Sequence, residues 1–237
     1  MARTSLKRER ERAAEIFRRL EAALPEPKGE LRWTSPYQLL VAVALSAQAT
    51  DVSVNRATER LFPVAPDPRA MLTLGEEGLI PFIASIGLFR TKARNVIALS
   101  ALLLERHGGE VPRDREALQA LPGVGRKTAS VVLNELGWEP AIAVDTHVYR
   151  VAHRLRLSLA PTPDKVEQDL LRITPQPYLT RAHHWLILHG RYTCIARRPR
   201  CEICPLADLC PSAYLFTAAS SASTKRKPPS GASSRNR

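Results

Sequence analysis

Four cysteines, Cys194, Cys201, Cys204 and Cys210, are the only ones in the 237-residue chain, and they follow the spacing C-x6-C-x2-C-x5-C. No other feature restricts the fold as much. Thiols this close together either cross-link or hold a common centre. The N-terminus carries no apolar export segment, and its Glu residues argue against an organelle transit peptide, so a reducing compartment is expected. Disulfides are unusual there, which leaves a metal centre. Common zinc modules present two C-x2-C pairs separated by a longer loop. Here a single C-x2-C lies between two wider gaps. That arrangement suits thiolates wrapping a larger object, an iron–sulfur cluster, with zinc as the alternative. Arg191, Arg197, Arg198 and Arg200 flank the ligands in sequence and are expected to offset the negative charge of a thiolate-bound cluster.

The remainder reads as helices. Ala13, Ile16, Phe17 and Leu20 form one apolar stripe, and Ala93, Ile97, Ala101 and Leu104 a second that stops at Gly108-Gly109. Ala129, Val132, Leu133 and Leu136 form a third, and Val148, Val151, Ala152 and Leu155 a fourth. No alternating run of strand length occurs. About ten helices separated by Gly, Pro and short polar links are expected, which makes the fold class all-α. The longest uncharged stretch, Trp33 to Thr50, contains Thr, Ser, Pro and two Gln. A membrane span needs about 20 mostly apolar residues, so a buried helix is expected there and no membrane attachment. A cytoplasmic protein follows.

Charge narrows the partner. The chain carries a formal +12, of which residues 1–19 hold +4 and residues 215–237 hold +5, leaving +3 for the body. A polyanion is implied, and any specific anion site in the body must be local.

One segment offers such a site. Asp114 is placed to cap a short helix ending at Leu121-Pro122, and a second helix starts near Arg126. Gly123-Val124-Gly125 lies between them. Two glycines in a tight inter-helix turn let backbone approach a partner, and free amides at the next helix start seat a phosphate. A plain helical hairpin turn is the alternative. A nucleotide-binding P-loop is excluded, because Arg126 stands where that motif demands Gly and no strand precedes the turn. Lys127 falls in the first turn of the second helix, where the helix dipole and burial in a cleft would both favour a neutral, nucleophilic amine. Asp145 precedes the Val148–Leu155 stripe as an N-cap whose carboxylate is also suited to supporting positive charge on a sugar.

Leu121-Pro122-Gly123-Val124-Gly125-Arg126-Lys127-Thr128-Ala129, Ala143-Val144-Asp145-Thr146-His147 and the cysteine loop together resemble the endonuclease III family, bifunctional DNA glycosylase/AP lyases of the helix-hairpin-helix superfamily. The resemblance runs from about Glu15 to Ser212. It implies two all-α lobes with a DNA-binding cleft between them: residues 29–139 as a six-helix lobe with the hairpin, and residues 1–28 plus 140–214 as a lobe with the cluster loop. Residues 215–237 are left as a disordered basic tail. It further implies Lys127 and Asp145 as the catalytic pair, Gly123, Val124, Gly125 and Arg126 as DNA contacts, and the four cysteines as ligands of a 4Fe-4S cluster. Leu45 to Asp51 resembles the family loop whose glutamine fills the space left by a flipped base, a role that falls on Gln48. Ile86-Gly87-Leu88 resembles the wedge loop and gives Leu88 the intercalating role.

The implied activity is removal of oxidised or ring-saturated pyrimidines from double-stranded DNA by a monomer. Lys127 forms a Schiff base with the sugar, and β-elimination cuts the strand 3′ to the abasic site. Three alternatives stand beside it: a monofunctional mismatch glycosylase of the same superfamily, a non-catalytic abasic-DNA-binding protein, and an iron–sulfur electron carrier.

Overall fold

The computed structural model describes residues 2–216; the tail expected over 215–237 lies, from residue 217 onward, outside the described residues. Helix α1 (Ala2–Ala23) is followed by α2 (Pro36–Ser46), α3 (Asp51–Leu61), α4 (Pro68–Ile83), α5 (Phe89–His107), α6 (Arg115–Gln119) and α7 (Arg126–Glu135). Then come α8 (Thr146–Arg154), α9 (Pro163–Ile173) and α10 (Leu179–Tyr192), with short 3-10 turns before α10 and within the cysteine loop. Among the described residues there is no strand and no helix long and apolar enough to cross a membrane.

Local chemistry fixes most helix starts. Side-chain oxygens of Ser35, Thr50, Asp67, Asp114, Asp145 and Thr162 accept backbone N–H groups of the first turns of α2, α3, α4, α6, α8 and α9. Pro36, Pro68 and Pro163 follow at the position where a missing N–H costs nothing. Two long-range exceptions matter. Helix α5 begins at Leu88, held in the left-handed region at φ 59, and α7 begins at Gly125; neither start has a side-chain cap. Their first-turn amides therefore remain free for another acceptor.

The helices pack into two lobes with separate cores. The first runs from Tyr37 to Leu133 and is filled by α2 to α7, with Leu40, Leu61, Met71, Ile83, Leu99 and Leu118 fully buried. The second joins Ile16 and Phe17 of α1 to Val148, Val151, Leu170, Trp185 and Leu206. Phe17 stacks on Tyr178 at 5.9 Å between ring centroids, and Trp185 Nε1 donates to the Leu24 carbonyl at 2.8 Å. Chain order thus returns the N-terminal helix to the C-terminal lobe.

The stripes in α1, α7 and α8 are buried as expected, but the α5 stripe is not the one the periodicity indicated. Its core face is Lys92, Ala93, Val96, Leu99, Ser100 and Leu103, while Ala101 is exposed. Two polar residues on the buried face disguised the pattern. Ser100 belongs there because its hydroxyl pairs with Tyr37 at 2.7 Å and donates to the Val96 carbonyl at 2.7 Å.

Candidate active site

The hairpin turn needs glycine for two reasons. Gly123 sits at φ +77, and a Cβ there would stand 2.9 Å from Asn95 on α5. At Gly125 a Cβ would meet nothing within 4 Å, so the start of α7 opens outward. Val124 is buried beneath the turn and anchors it to the first core. Asp114 caps α6 by accepting from the Glu116 and Ala117 amides at 3.0 and 2.9 Å. The result is a rigid seat of unpaired amides at Arg126 to Thr128.

Lys127 follows directly and is exposed. The burial expected around it is absent from the free protein and has to come from a bound partner. Across the gap, Asp145 caps α8 through one oxygen only: Oδ1 accepts from both His147 N and Val148 N at 2.8 Å. Oδ2 carries no hydrogen bond among the described residues. Lys127, Asp145 and Gln48 line the same cleft of about 710 Å³ between the lobes. Its walls are largely apolar, including Leu39, Val43, Val131, Val144 and Ile187.

Gln48 and Leu88 share an unusual backbone. They and Arg156 are the only non-glycine residues at positive φ among the described residues, with Gln48 at 55° and Leu88 at 59°. Arg156 merely ends α8, but the other two sit on adjacent loops, since a Cβ on Gly87 would lie 3.8 Å from the Gln48 carbonyl oxygen. Left-handed strain without glycine marks a place where side-chain direction matters more than backbone comfort. Leu88 is 62% exposed and Gln48 is exposed as well. Neither is a core residue.

Helix α7 also bears on the second lobe along its length. Arg126 Nη2 lies 3.0 Å from Glu167 on α9, so its guanidinium is an inter-lobe strut. Asn134 donates to the Thr180 carbonyl and accepts from the Ala141 amide, each at 3.1 Å. Glu135 and His184 Nε2 meet at 2.7 Å. The helix carrying Lys127 is thus positioned by both lobes.

The four thiols line one pocket together with Leu155, His189 and Phe216. Fully buried Leu206 pins the loop to the second core. Four thiols around one shared volume match the donor set of an iron–sulfur cluster. Burial pushes the Cys204 thiol up to about 11 and raises the Cys201 thiol as well, so these two become thiolates only against a cationic core.

One of the expected arginines does not reach the loop. Arg191 turns away to Asp51 and Glu30 in the cleft, because it lies on the cleft-facing side of α10. Arg154 of α8 takes the place, with Nη1 3.3 Å from Cys194 Sγ and 2.9 Å from the Ile195 carbonyl, and Nη2 2.7 Å from the Ala196 carbonyl. Phe216 covers its guanidinium at 4.5 Å.

Residues 41–176 match the model of the HhH-GPD superfamily of base excision DNA repair proteins, and residues 194–210 match the iron–sulfur binding domain of endonuclease III. Endonuclease III of Escherichia coli (strain K12) is 57% identical over 197 residues, 83% of this chain and 93% of the relative. The chain belongs to the endonuclease III family. The Treponema pallidum (strain Nichols) endonuclease III is 59% identical over 195 residues, covering 82% and 92% of the two chains. A solved trapped endonuclease III–DNA covalent intermediate superposes with TM-score 0.82 at 42% identity, covering 88% of this chain and 98% of the other. A thermostable thymine-DNA glycosylase, 21% identical, shares the fold with TM-score 0.76. As a member of that family, the chain is a DNA glycosylase/AP lyase with a 4Fe-4S cluster.

Proposed function

We propose that this glycosylase/lyase acts on oxidised or ring-saturated pyrimidines in double-stranded DNA, with Lys127 as nucleophile and Asp145 as its electrostatic partner. The observation that carries the assignment is the meeting of Lys127, from the start of α7, with Asp145, from the start of α8, in one apolar-walled cleft. The trapped covalent DNA complex of a relative supports the same chemistry. Duplex DNA lies against the uncapped starts of α5 and α7, whose amides donate to phosphate oxygens. Gly123, Val124, Gly125 and the Arg126 backbone hold that strand.

Extrusion of the target nucleotide costs a few kcal/mol, less for a badly stacked lesion. Leu88 and Gln48, already aimed outward, occupy the space it leaves. The Lys127 amine attacks C1′ as the C1′–base bond breaks, and the electron pair departs with the base. Asp145 Oδ2 stabilises the positive charge that builds on the sugar and nitrogen. The amine then loses its proton, the C1′–O4′ bond opens with a proton taken up by O4′, and C1′=N forms as the Schiff base. Loss of a C2′ proton to a base in the cleft drives out the 3′ oxygen, which cuts the strand 3′ to the site. Covering by DNA supplies the desolvation that free Lys127 lacks.

The cluster, bound by Cys194, Cys201, Cys204 and Cys210, supplies iron–sulfur bonds that hold the 194–210 loop, and Arg154 supports it. Residues 29–139 and 1–28 plus 140–214 act as the two lobes of a monomer, working in the cytoplasm on the nucleoid. The test is a panel of lesion duplexes assayed for base release and strand cleavage with and without borohydride. Release of saturated pyrimidines with cutting and trapping is expected. Release without cutting or trapping supports the monofunctional mismatch glycosylase, and binding without either supports the non-catalytic module.

A further inference from the structure

Lys127, Val131 and Glu135 recur every four residues on α7 and all line the cleft, so they form one stripe. Eight residues of α-helix place Glu135 about 12 Å along the axis from Lys127. Facing them, His183, His184, Ile187, Leu188 and Arg191 form the cleft stripe of α10. Going inward from Lys127, the walls are apolar at Val131, Ile187 and Leu188 and turn polar again at Glu135, His183 and His184. An extended lysine side chain and a pyrimidine ring laid end to end bridge a gap of that order.

This polar end is built. Glu135 Oε1 is engaged by His184 Nε2 at 2.7 Å. Gly29, in the connection from α1 to α2, packs directly against that same carboxylate. His183 packs edge-on against His184, with ring centroids 5.3 Å apart. It is only 5% exposed, and its Nδ1 is fully buried without a hydrogen-bond partner. Among the described residues no group hydrogen-bonds either ring nitrogen, so no hydrogen bond fixes the tautomer. Burial keeps the imidazole neutral, hence one donor and one acceptor are spare. Lys92 Nζ and Thr174 Oγ1 are likewise buried without a partner, but only His183 lines the cleft, where a buried unpaired atom calls for a ligand or water.

We propose that His183, backed by the Glu135–His184 pair, reads the hydrogen-bonding edge of the extruded pyrimidine. The alternating carbonyl and N–H groups of that edge match a neutral imidazole beside a His–carboxylate pair. The apolar stretch between this end and Lys127 receives the ring faces. His183 is then a specificity-determining residue for base release, with no part in cutting a site whose base is already gone. This rests on the Lys127 assignment only for where the sugar lies.

The test uses full-length His183→Phe and His183→Gln on two duplexes, one carrying dihydrouracil and one a preformed abasic site. Single-turnover base release should fall about tenfold or more in His183→Phe, because a site built for polar pairing penalises an unpaired edge. His183→Gln, which keeps a donor and an acceptor, should recover part of it. Cutting of the abasic duplex should stay within about twofold of wild type, and this doubles as the control for folding. Equal loss of both reactions overturns the proposal in favour of a structural role. Unchanged base release overturns it in favour of an imidazole that only holds water. A wild type that fails to cut abasic DNA defeats the lysine assignment instead, so the two fail separately.

Discussion

Arg191 on α10 places Nη1 2.6 Å from Oδ2 of Asp51, the first residue of α3, three positions after Gln48. The same guanidinium meets Glu30, which also accepts from the Tyr192 hydroxyl. The Gln48 loop of one lobe is thereby tied to the helix that leads into the cluster loop of the other.

Arg191→Met should therefore loosen the lobes. Two partly buried carboxylates lose their common partner, costing about 2 kcal/mol, between surface and fully buried values. The melting temperature should drop by roughly 4–8 °C for a chain of this size. Calorimetry checks it, and an unchanged transition would mean that the other struts carry the interface alone.

Asp145 has two separable duties. Asn caps a helix about as well as Asp, so Asp145→Asn should leave stability within about 0.5 kcal/mol, while Asp145→Ala costs about 1 kcal/mol. Both should slow base release by about 10² or more, because each removes the charge on Oδ2. Comparable base release in Asp145→Asn and wild type would reduce the residue to a cap.

His183 also makes stability depend on acid. Burial, with His184 next and Lys127 assisting, pulls it down to about 4 from an ordinary 6.5 against the opposing pull of Asp145 and Glu135. The unfolded chain binds this proton below pH 6.5 and the folded chain only near pH 4, so stability falls as pH drops through that window. The contribution lost between pH 7 and pH 5 is about 2 kcal/mol. Urea unfolding of wild type and His183→Phe at both pH values should show the smaller loss in the variant.

The sites that depend on neighbours in sequence were legible. Asp114 and Asp145 cap where they were expected to, the Gly123–Gly125 turn opens α7, and the cysteine spacing marks one loop, because each is governed by interactions within a few residues. Tertiary partners were not. Asp51 and Arg191 are 140 residues apart, and nothing local links them. Arg154 supports the cysteine loop from a helix that ends forty residues earlier, and no local spacing links the two. The α5 face was misjudged because Lys92 and Ser100, polar by type, are buried. Glu135 and the His183-His184 pair carried a usable signal, the four-residue repeat from Lys127 through Val131 to Glu135.

Arg154→Met should weaken the cluster without touching its ligands. The variant loses the donor to Cys194 Sγ and to two loop carbonyls. Charge-assisted bonds of this kind are worth enough to speed cluster loss in air about tenfold. The decay of the iron–sulfur absorption band measures it. Identical decay would assign the stability of the loop to the four cysteines and Leu206.

The central claim is that the Lys127 amine becomes covalently joined to the sugar. Borohydride reduction of the full-length protein with an abasic duplex, followed by peptide mapping of the adduct, tests it most directly. The account predicts one adduct, on Lys127, and none with Lys127→Gln despite retained DNA binding. Trapping of Lys127→Gln at the wild-type level, or an adduct mapped to another amine, would contradict it.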